Sequence, residues 1–233
     1  PPKQRDGRIE ALRNLRVARR SAVDQRADTQ RQIKALIVTA PDDLRERLRG
    51  LPVKELIKVC AGLRPQPADA ASPSTAAKIA LRSLARRHQQ LTQEINELDE
   101  LLDPLVAAIN PHLVAANGVG TDVAGQLLVT AGQNHDRLTS EAAFAMLCGA
   151  APIPASSGKT HRHRLNRGGD RQANAALYRV VLCRLRWDPR TRAYMERRTK
   201  EGLSKKEIIR CLKRYIVREL YQIITANDHE LAA

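Results

Sequence analysis

One segment constrains the fold of this chain more than any other. Between positions 81 and 109, apolar side chains recur at alternating spacings of three and four residues. This spacing predicts one long helix with a heptad seam of about four repeats, as in a coiled coil formed with another helix of the chain or with a second subunit. Ser74 is a predicted N-cap, and Pro104 predicts a kink or a break. The seam contains Leu81, Leu84, His88, Leu91, Ile95, Leu98, Leu102, Leu105 and Ile109, of which His88 is interpreted as a polar residue that sets the register.

The residues before the seam are also predicted to be mostly helical. From about Gly7 to Thr39, apolar residues recur on one face among many arginines, which predicts a long, basic, amphipathic helix. Two short helices are predicted after it, at about 41–49 and 52–63. The proline-rich segment 65–74 then predicts a linker.

The composition favours helices along the whole chain. Aromatic residues make up only 3% of it, and the chain lacks the aromatic and β-branched surplus of a sheet protein. We therefore predict an all-α fold, with a long antiparallel or dimeric coiled coil followed by a compact helical domain. The predicted divisions are a basic helical segment 1–64, the linker 65–74, a coiled-coil helix 75–112 and a C-terminal domain 113–233.

Positive charge is concentrated in the last third of the chain. The formal net charge is +15, and residues 151–233 contain 19 Lys or Arg against 8 Asp or Glu, a net charge of +11. A surplus of this size indicates a polyanionic partner, for which nucleic acid is the usual candidate.

Several protein classes are excluded by what the sequence lacks. No apolar run approaches the ~20 residues that cross a membrane. The first residues are neither a signal peptide nor an initiator methionine. The four cysteines lie far apart, without the spacing of a zinc site or of a disulfide framework, so no metal site is predicted in this chain. We expect an intracellular protein without membrane contact, and a chain that begins inside a longer one.

A pair of glycines in the C-terminal domain lies between two stretches of helical apolar spacing. Asn117, Gly118 and Gly120 allow a tight turn that leaves backbone N–H groups exposed at the start of the second helix. The turn resembles that of a helix-hairpin-helix, a module that holds a DNA phosphate on such amides. An ordinary turn between two helices is the alternative.

A dense row of cations follows two adjacent serines, Ser156 and Ser157. Charges at this density repel one another unless an anion lies among them, which predicts contact with a nucleic-acid backbone. A P-loop is excluded, because position 153 is Ile where that motif requires glycine. The basic residues of this loop are Lys159, His161, Arg162, His163, Arg164, Arg167 and Arg171, against the single acid Asp170.

The last predicted helix opens with a capping box, Ser204 to Glu207, and extends to about Thr225. Its basic side chains fall largely on one face, which is either a solvated surface or a nucleic-acid contact. Thr139 and Asp188 are predicted to cap two earlier helices, the second of which begins with a proline. The basic residues of the last helix are Lys205, Lys206, Arg210, Lys213, Arg214 and Arg218.

The serines allow a chemical role but do not require one. A serine hydroxyl attacks a phosphodiester when a base removes its proton and cations stabilise the charge on the phosphoryl oxygens. His161 or His163 is a candidate base, although both serines are also common turn residues. Three functions stay open: an enzyme acting on nucleic acid, a non-catalytic nucleic-acid-binding module that dimerises, and a helical protein whose basic face meets an acidic partner protein.

The order of these features resembles the C-terminal two-thirds of the DEDD transposases of bacterial insertion sequences, which are relatives of the Piv invertases. The resemblance covers essentially the whole chain and is most specific over residues 144–177. It rests on Asn117-Gly-Val-Gly, Phe144-Ala-Met-Leu-Cys-Gly-Ala-Ala-Pro-Ile-Pro, Ser157-Gly-Lys, His163-Arg-Leu-Asn-Arg-Gly-Gly-Asp-Arg and Ser204-Lys-Lys-Glu.

The resemblance implies a recombinase with a two-part active site. An N-terminal RuvC-like domain binds Mg²⁺ through acidic residues, and the C-terminal domain supplies a serine that attacks DNA and becomes covalently linked to it. The matching serine here is Ser157, with Ser156 as the alternative.

Members of this family bind a structured guide RNA as well as DNA, and they assemble as dimers or tetramers through the coiled coil. The implied location is the bacterial cytoplasm, in association with the nucleoid. The acidic domain would precede residue 1, so the chain alone is expected to bind DNA or RNA and to assemble, with weak or absent strand exchange.

Overall fold

The computed structural model describes residues 7–133, 138–156 and 163–231, with the backbone alone for 227–231. Over these residues the fold is dominated by α-helices, as predicted, and includes one small pair of antiparallel strands. The helices are α1 (Gly7–Val38), α2 (Asp42–Leu48), α3 (Val53–Ala61), α4 (Pro73–Ile109), α5 (Pro111–Ala115), α6 (Thr121–Ala131), α7 (Glu141–Leu147), α8 (Arg171–Trp187), α9 (Pro189–Lys200) and α10 (Lys205–Leu231). The strands are β1 (Ile153–Pro154) and β2 (His163–Arg164), and no helix in the described ranges is long and apolar enough to cross a membrane.

The chain divides into two compact units. One, which we call the long-helix unit, is Leu15–Leu101, and the other, the C-terminal unit, combines Pro1–Asn14 with Leu102–Ala233. The division therefore falls within α1 and within α4. The predicted linker 65–74 lies inside the long-helix unit and contains a 3₁₀ turn, Pro67–Asp69. The predicted domain boundaries stay a prediction.

Within the long-helix unit, α1 and α4 contact each other in opposite order along the chain. Arg19 donates to Asp99, and Arg87 donates to Gln25. Ala22 packs with Leu91 and Ile95 in a small apolar cluster. A larger core joins both helices to α2 and α3, and it includes Ile33, Leu44, Leu48, Leu56, Leu81 and Ala85.

The seam on α4 is buried within the chain at several of its positions. Leu81, Leu91, Ile95 and Leu102 are buried. Burial of His88, which is half-buried, lowers the pKa of its imidazole, and the charge of Arg26 lowers it further. Coiled-coil geometry and pairing with a second subunit stay predictions.

One local expectation for α4 was wrong, and another was wrong in part. The helix begins at Pro73, so Ser74 lies inside it and is not its N-cap. The helix also continues through Pro104 to Ile109, so the predicted break is absent, whereas a kink at this proline stays a prediction. A proline lacks one backbone donor, and the packing of Leu102 and Val106, both buried, holds the turn around it.

The core of the C-terminal unit is built around α8, which packs against α6, α9 and α10. Its inward face is formed of small and medium apolar residues, which let the neighbouring helices approach closely. The ring of buried Phe144 on α7 lies 6.0 Å from that of Tyr221 on α10, whose hydroxyl donates to the backbone carbonyl of Leu138. The buried apolar residues of α8 are Ala173, Ala176, Leu177, Val180 and Val181.

Two of the predicted helix starts are confirmed and one was wrong by a single residue. Asp188 caps α9, with Pro189 at its first position. Ser204 and Glu207 form the predicted capping box, since the Ser204 N–H donates to the Glu207 carboxylate and the Glu207 N–H donates to the Ser204 hydroxyl. Ser140, rather than Thr139, caps α7 by accepting from the Ala143 N–H.

Candidate nucleic-acid site

The segment that carries the serines joins two short paired strands. Ile153 lies opposite Arg164, and Pro154 lies opposite His163. The antiparallel pairing brings both ends of the segment together, so its starting and returning residues are held at one place in the C-terminal unit.

Two glycines allow close backbone contact between the segments 146–149 and 168–170, which flank the strand pair and which we call the loop base. Gly149 and Gly169 both have positive φ angles, of 62° and 82°. A Cβ added at Gly169 would lie 2.6 Å from the backbone nitrogen of Gly149 and 2.6 Å from the carbonyl oxygen of Leu147. Only glycine allows both the backbone angle and this approach. The segments 146–149 and 168–170 therefore pack directly against each other.

Asp170 and Asn174 complete the base with side-chain hydrogen bonds. One carboxylate oxygen of Asp170 caps α8 by accepting from the Gln172 N–H, and the other accepts from the hydroxyl of buried Thr130 at 2.7 Å. The amide of Asn174 donates to the carbonyls of Cys148 and Gly149 at 3.0 Å and 2.9 Å. The base is thus tied to both α6 and α8.

A cleft of about 780 Å³ opens beside β2, between the loop after α7 and helices α9 and α10. Its described lining contains six Lys or Arg, one His and a single acid, Glu207. Backbone and apolar groups of the loop after α7 and of α10 form part of its walls. The basic residues that line it are His163, Arg164, Arg198, Arg210, Lys213, Arg214 and Arg218.

Part of this charge is neutralised by Glu141 of α7. Its carboxylate accepts from Arg214, with one Nη2 contact of 2.6 Å, and lies 3.5 Å from the Nε of Arg218. The hydrogen bonds from Arg214 lower the pKa of Glu141 from the usual 4.5 to about 2. Glu141 therefore carries its negative charge throughout the physiological range.

Arg198 pairs with Glu201 and Arg210 lies 3.9 Å from Glu207, but three other basic residues of the cleft have no carboxylate partner among the described residues. His163 and Arg164 are exposed, and neither forms an ion pair there. Lys213 is only 7% exposed, and its ammonium donates to Asn174 Oδ1 at 2.8 Å. Burial lowers the pKa of Lys213, and the charge of Arg210 lowers it further.

Two aromatic residues lie at the junction of α9 and α10. The rings of Tyr194 and Tyr215 meet edge to face, with centroids 5.7 Å apart. Burial raises the pKa of Tyr194 to about 12, and neighbouring Cys211 contributes to the rise. This phenol is therefore neutral at physiological pH, whereas Tyr215 is 55% exposed and lines the cleft.

The predicted site residues are distributed unevenly around this cleft. Ser157, Lys159 and Arg162 lie outside the described residues, and Ser156 is exposed just before them. His163, Arg164, Arg210 and Arg214 line the cleft together. Five other predicted basic or turn positions, Arg167, Arg171, Lys205, Lys206 and Gly120, are exposed but do not line it.

The predicted phosphate-binding turn packs against α8 instead of opening onto the cleft. Gly118 has a φ of 73°, and a Cβ there would lie 3.2 Å from the Cγ of Arg184. Arg184 is buried, donates to the Asn117 carbonyl at 2.8 Å and forms a bidentate pair with Glu219. The first turn of α6 also carries Asp122, which pairs with Arg179 at 2.5 Å. Phosphate binding by this turn stays a prediction.

Sequence reasoning missed two residues of the site. Arg198 on α9 lines the cleft, but it lies in a run of basic residues that looks uniform in the sequence. Asn174 lies one helical turn after Asp170 and reaches both the loop base and Lys213. The sequence feature that could have identified Asn174 is the N-cap at Asp170. This cap fixes where α8 begins, and the start of the helix determines which side chains face the loop.

The described residues contain no group of three or more His, Cys, Asp or Glu that could hold a metal ion. Glu141 and Glu207 are paired with arginines or used in a helix cap. The described lining of the cleft is therefore mainly basic.

Comparison with known proteins finds a similarity centred on this region. Residues 111–196 match the family model described as the transposase IS116/IS110/IS902 family. The chain is 29% identical over 149 residues to the insertion element IS110 uncharacterized 43.6 kDa protein of Streptomyces coelicolor, a match that covers 63% of this chain and 36% of that protein. It is 25% identical over 150 residues to the insertion element IS900 uncharacterized 42 kDa protein of Mycobacterium paratuberculosis, covering 63% of this chain and 37% of that protein.

The chain thus spans little more than a third of the length of the curated relatives it matches. The matched segment runs from α5 to α9 and includes both strands, the glycine contact at the loop base and the turn at Asn117. Residues 111–196 are therefore similar to a transposase domain of the IS110/IS116 type.

Proposed function

We propose that this chain is the serine-bearing part of a DNA recombinase of a mobile element. It binds DNA through the basic cleft, and Ser157 is the nucleophile that attacks the DNA backbone, with Ser156 as the alternative. The proposal is supported by the transposase similarity of residues 111–196 and by the position of the cleft beside the serine-bearing segment.

One observation carries the proposal. His163 and Arg164, at the returning end of the serine-bearing segment, line the same cleft as Arg210 and Arg214 of α10. A DNA strand held by α10 would therefore lie beside the returning end of the segment that contains Ser157. Cations in such a position attract the phosphate backbone and stabilise the charge that develops on a phosphoryl group under attack.

The finer parts of the proposal come from the family resemblance. The complete enzyme would bind a structured guide RNA and would assemble as a dimer or a tetramer. A separate RuvC-like domain would hold Mg²⁺ and supply metal-assisted phosphodiester chemistry. This chain would contribute the serine, the phosphate contacts and the fixed geometry of the loop base.

A covalent-trapping assay tests the proposal. The chain is incubated alone and with a RuvC-like domain of an insertion-sequence transposase, Mg²⁺, guide RNA and end-labelled DNA, and is then analysed under denaturing conditions. We expect a labelled protein band that forms with the supplement, disappears in Ser157→Ala and persists in the matched variant Ser72→Ala, which alters a serine of the other unit.

Two outcomes would overturn parts of this account. A band that persists in Ser157→Ala and disappears in Ser156→Ala would transfer the nucleophile to Ser156. DNA retention under native conditions without any covalent band would make the chain a non-catalytic nucleic-acid-binding module, and the catalytic assignment would be dropped.

A further inference from the structure

The least exposed cation of the cleft is Lys213 of α10. It lines the cleft and is 7% exposed, yet among the described residues its ammonium has one hydrogen-bond acceptor, Asn174 Oδ1, and no carboxylate. An ammonium group has three donors, and burying its charge without an anion is unfavourable. Arg210 lies close enough to add repulsion. This arrangement would be stabilised by an anion that enters the cleft.

Arg198 of α9 gives a second, independent observation in the same cleft. One end of its guanidinium is paired with Glu201. Its Nε is buried and is the one buried side-chain nitrogen or oxygen without a hydrogen-bond partner in the part of the chain that the structure describes. Buried donors are normally satisfied, so the unpartnered Nε favours a rotamer change of Arg198 that brings its guanidinium, on a side chain that is 31% exposed, to an acceptor supplied by a ligand in the cleft.

From these two observations we propose that Lys213 and Arg198 are phosphate contacts, each donating to a phosphodiester oxygen of a nucleic-acid strand bound in the cleft. This inference rests on the proposed nucleic-acid binding and assigns it to two specific side chains. A phosphodiester strand fits better than a single small anion, because the cleft is open and has a further cation, Arg164, and the imidazole of His163, neither with a carboxylate partner among the described residues.

Lys213 also connects the bound phosphate to the serine-bearing segment. Its hydrogen-bond partner Asn174 donates to the carbonyls of Cys148 and Gly149, which form the base of that segment. A phosphate held by Lys213 is therefore one side chain away from the loop base. Lys213 is a positioning residue as well as a binding residue, because it fixes the strand relative to the loop.

The test measures binding of labelled duplex DNA and of a labelled RNA hairpin to the full chain at several salt concentrations. Lys213→Met and Arg198→Gln should each weaken binding by about tenfold or more and reduce the salt slope by about one. Loss of both DNA and RNA binding assigns the contacts to a shared backbone phosphate, and loss of one alone identifies which nucleic acid occupies the cleft.

Matched controls separate a specific contact from a change in net charge. Lys200→Met and Arg192→Gln remove the same charges from exposed positions of α9 that do not line the cleft. They should change affinity by less than about twofold. Equal losses in control and cleft variants would overturn the proposal.

Thermal unfolding without nucleic acid distinguishes a binding role from a structural one. Because Lys213→Met removes a buried charge that has no anionic partner, its Tm should equal or exceed that of the wild type. A lower Tm with unchanged binding would make Lys213 a structural residue and overturn its assignment. Arg198→Gln alters a side chain that is 31% exposed, so it tests the same cleft with little expected effect on the Tm.

Failure of this inference is distinguishable from failure of the proposed function. Weakened binding in Lys213→Met without any covalent DNA band would leave the phosphate contacts standing and remove the recombinase assignment. A Ser157-dependent covalent band, with wild-type binding in both variants, would keep the recombinase assignment and remove the phosphate contacts.

Discussion

The C-terminal unit contains two places where glycine allows a close backbone approach, and their surroundings differ. At Gly118 the backbone approaches Arg184, whose guanidinium is fully engaged by Glu219 and by the Asn117 carbonyl. At Gly149 and Gly169 two backbone segments meet each other, and the neighbouring cleft has cations without carboxylate partners among the described residues.

The difference shows what a glycine turn indicates and what it does not. In both places glycine permits close packing of the chain on itself. Whether an anion can bind nearby depends on how the surrounding cations are used. Arg184 is already neutralised, whereas Lys213 is buried with an amide as its one partner in the described part of the chain. The cleft is therefore the stronger candidate for a phosphate site.

The largest expected loss of stability comes from a substitution in the loop base. Gly169→Ala places a Cβ 2.6–2.7 Å from three backbone atoms at a φ of 82°, so it should lower the free energy of unfolding by about 3 kcal/mol. Chemical denaturation followed by circular dichroism measures this change.

Gly202→Ala is the matched control for that substitution. Gly202 has a φ of 87°, but a Cβ there meets nothing within 4 Å among the described atoms, so only backbone strain of about 1 kcal/mol is expected. If the two variants lost equal stability, close packing at the loop base would not be what requires Gly169.

A smaller effect is expected at the other turn. Arg184→Met removes the bidentate partner of Glu219 and the donor to the Asn117 carbonyl, and should lower the free energy of unfolding by about 2 kcal/mol. The loss stays moderate because Glu219 is 45% exposed and can be solvated.

DNA affinity of the folded Arg184→Met protein should stay within about twofold of the wild type, as measured by fluorescence anisotropy. Arg179→Met, on the same helix, removes the exposed pair with Asp122 and should cost less than about 1 kcal/mol. A large loss of DNA affinity in Arg184→Met alone would instead favour phosphate binding at the Asn117 turn.

The sequence predicted the helices better than it predicted the cleft. Heptad spacing, capping residues and composition predicted the helices, because these signals are local and act within one or two turns. The capping box at Ser204 and the Asp188 start of α9 follow from adjacent residues alone. Pro104 shows the limit of such signals, because α4 continues through this proline although the sequence allowed a break there.

The composition of the cleft could not be derived in the same way. His163, Arg164, Arg210 and Arg214 were predicted as separate basic segments, and only the packing of α10 beside the loop base brings them together. Arg198 was missed because the sequence does not show which cations are neutralised by a neighbour. That distinction depends on contacts such as Glu141 to Arg214, which are 73 residues apart.

A pH-dependent stability effect is expected for the ion pair of Glu141 with Arg214. Because the pKa of folded Glu141 is about 2, below its usual 4.5, the pair contributes stability above pH 4.5 that is lost as the pH falls towards 2. Glu141→Gln should therefore lower the free energy of unfolding by about 1 kcal/mol at pH 7, and the difference should shrink towards pH 2. Denaturation at a series of pH values measures it.

Glu141→Gln also tests whether the cleft binds DNA. It leaves Arg214 and Arg218 without their acid, so DNA affinity at pH 7 should rise by roughly threefold despite the lower stability. An unchanged affinity would mean that these two arginines do not face the nucleic acid.

The most direct measurement compares two double variants that remove the same net charge. Arg164→Gln with Arg210→Gln alters the cleft, and Arg190→Gln with Arg192→Gln alters exposed positions of α9 outside it. Salt-dependent binding of labelled duplex DNA should show a loss of at least about tenfold and a slope reduced by about two for the cleft variant, with less than about a threefold loss for the other. Equal losses in both variants would show that DNA responds to net charge alone, and would contradict the assignment of the cleft as the nucleic-acid site.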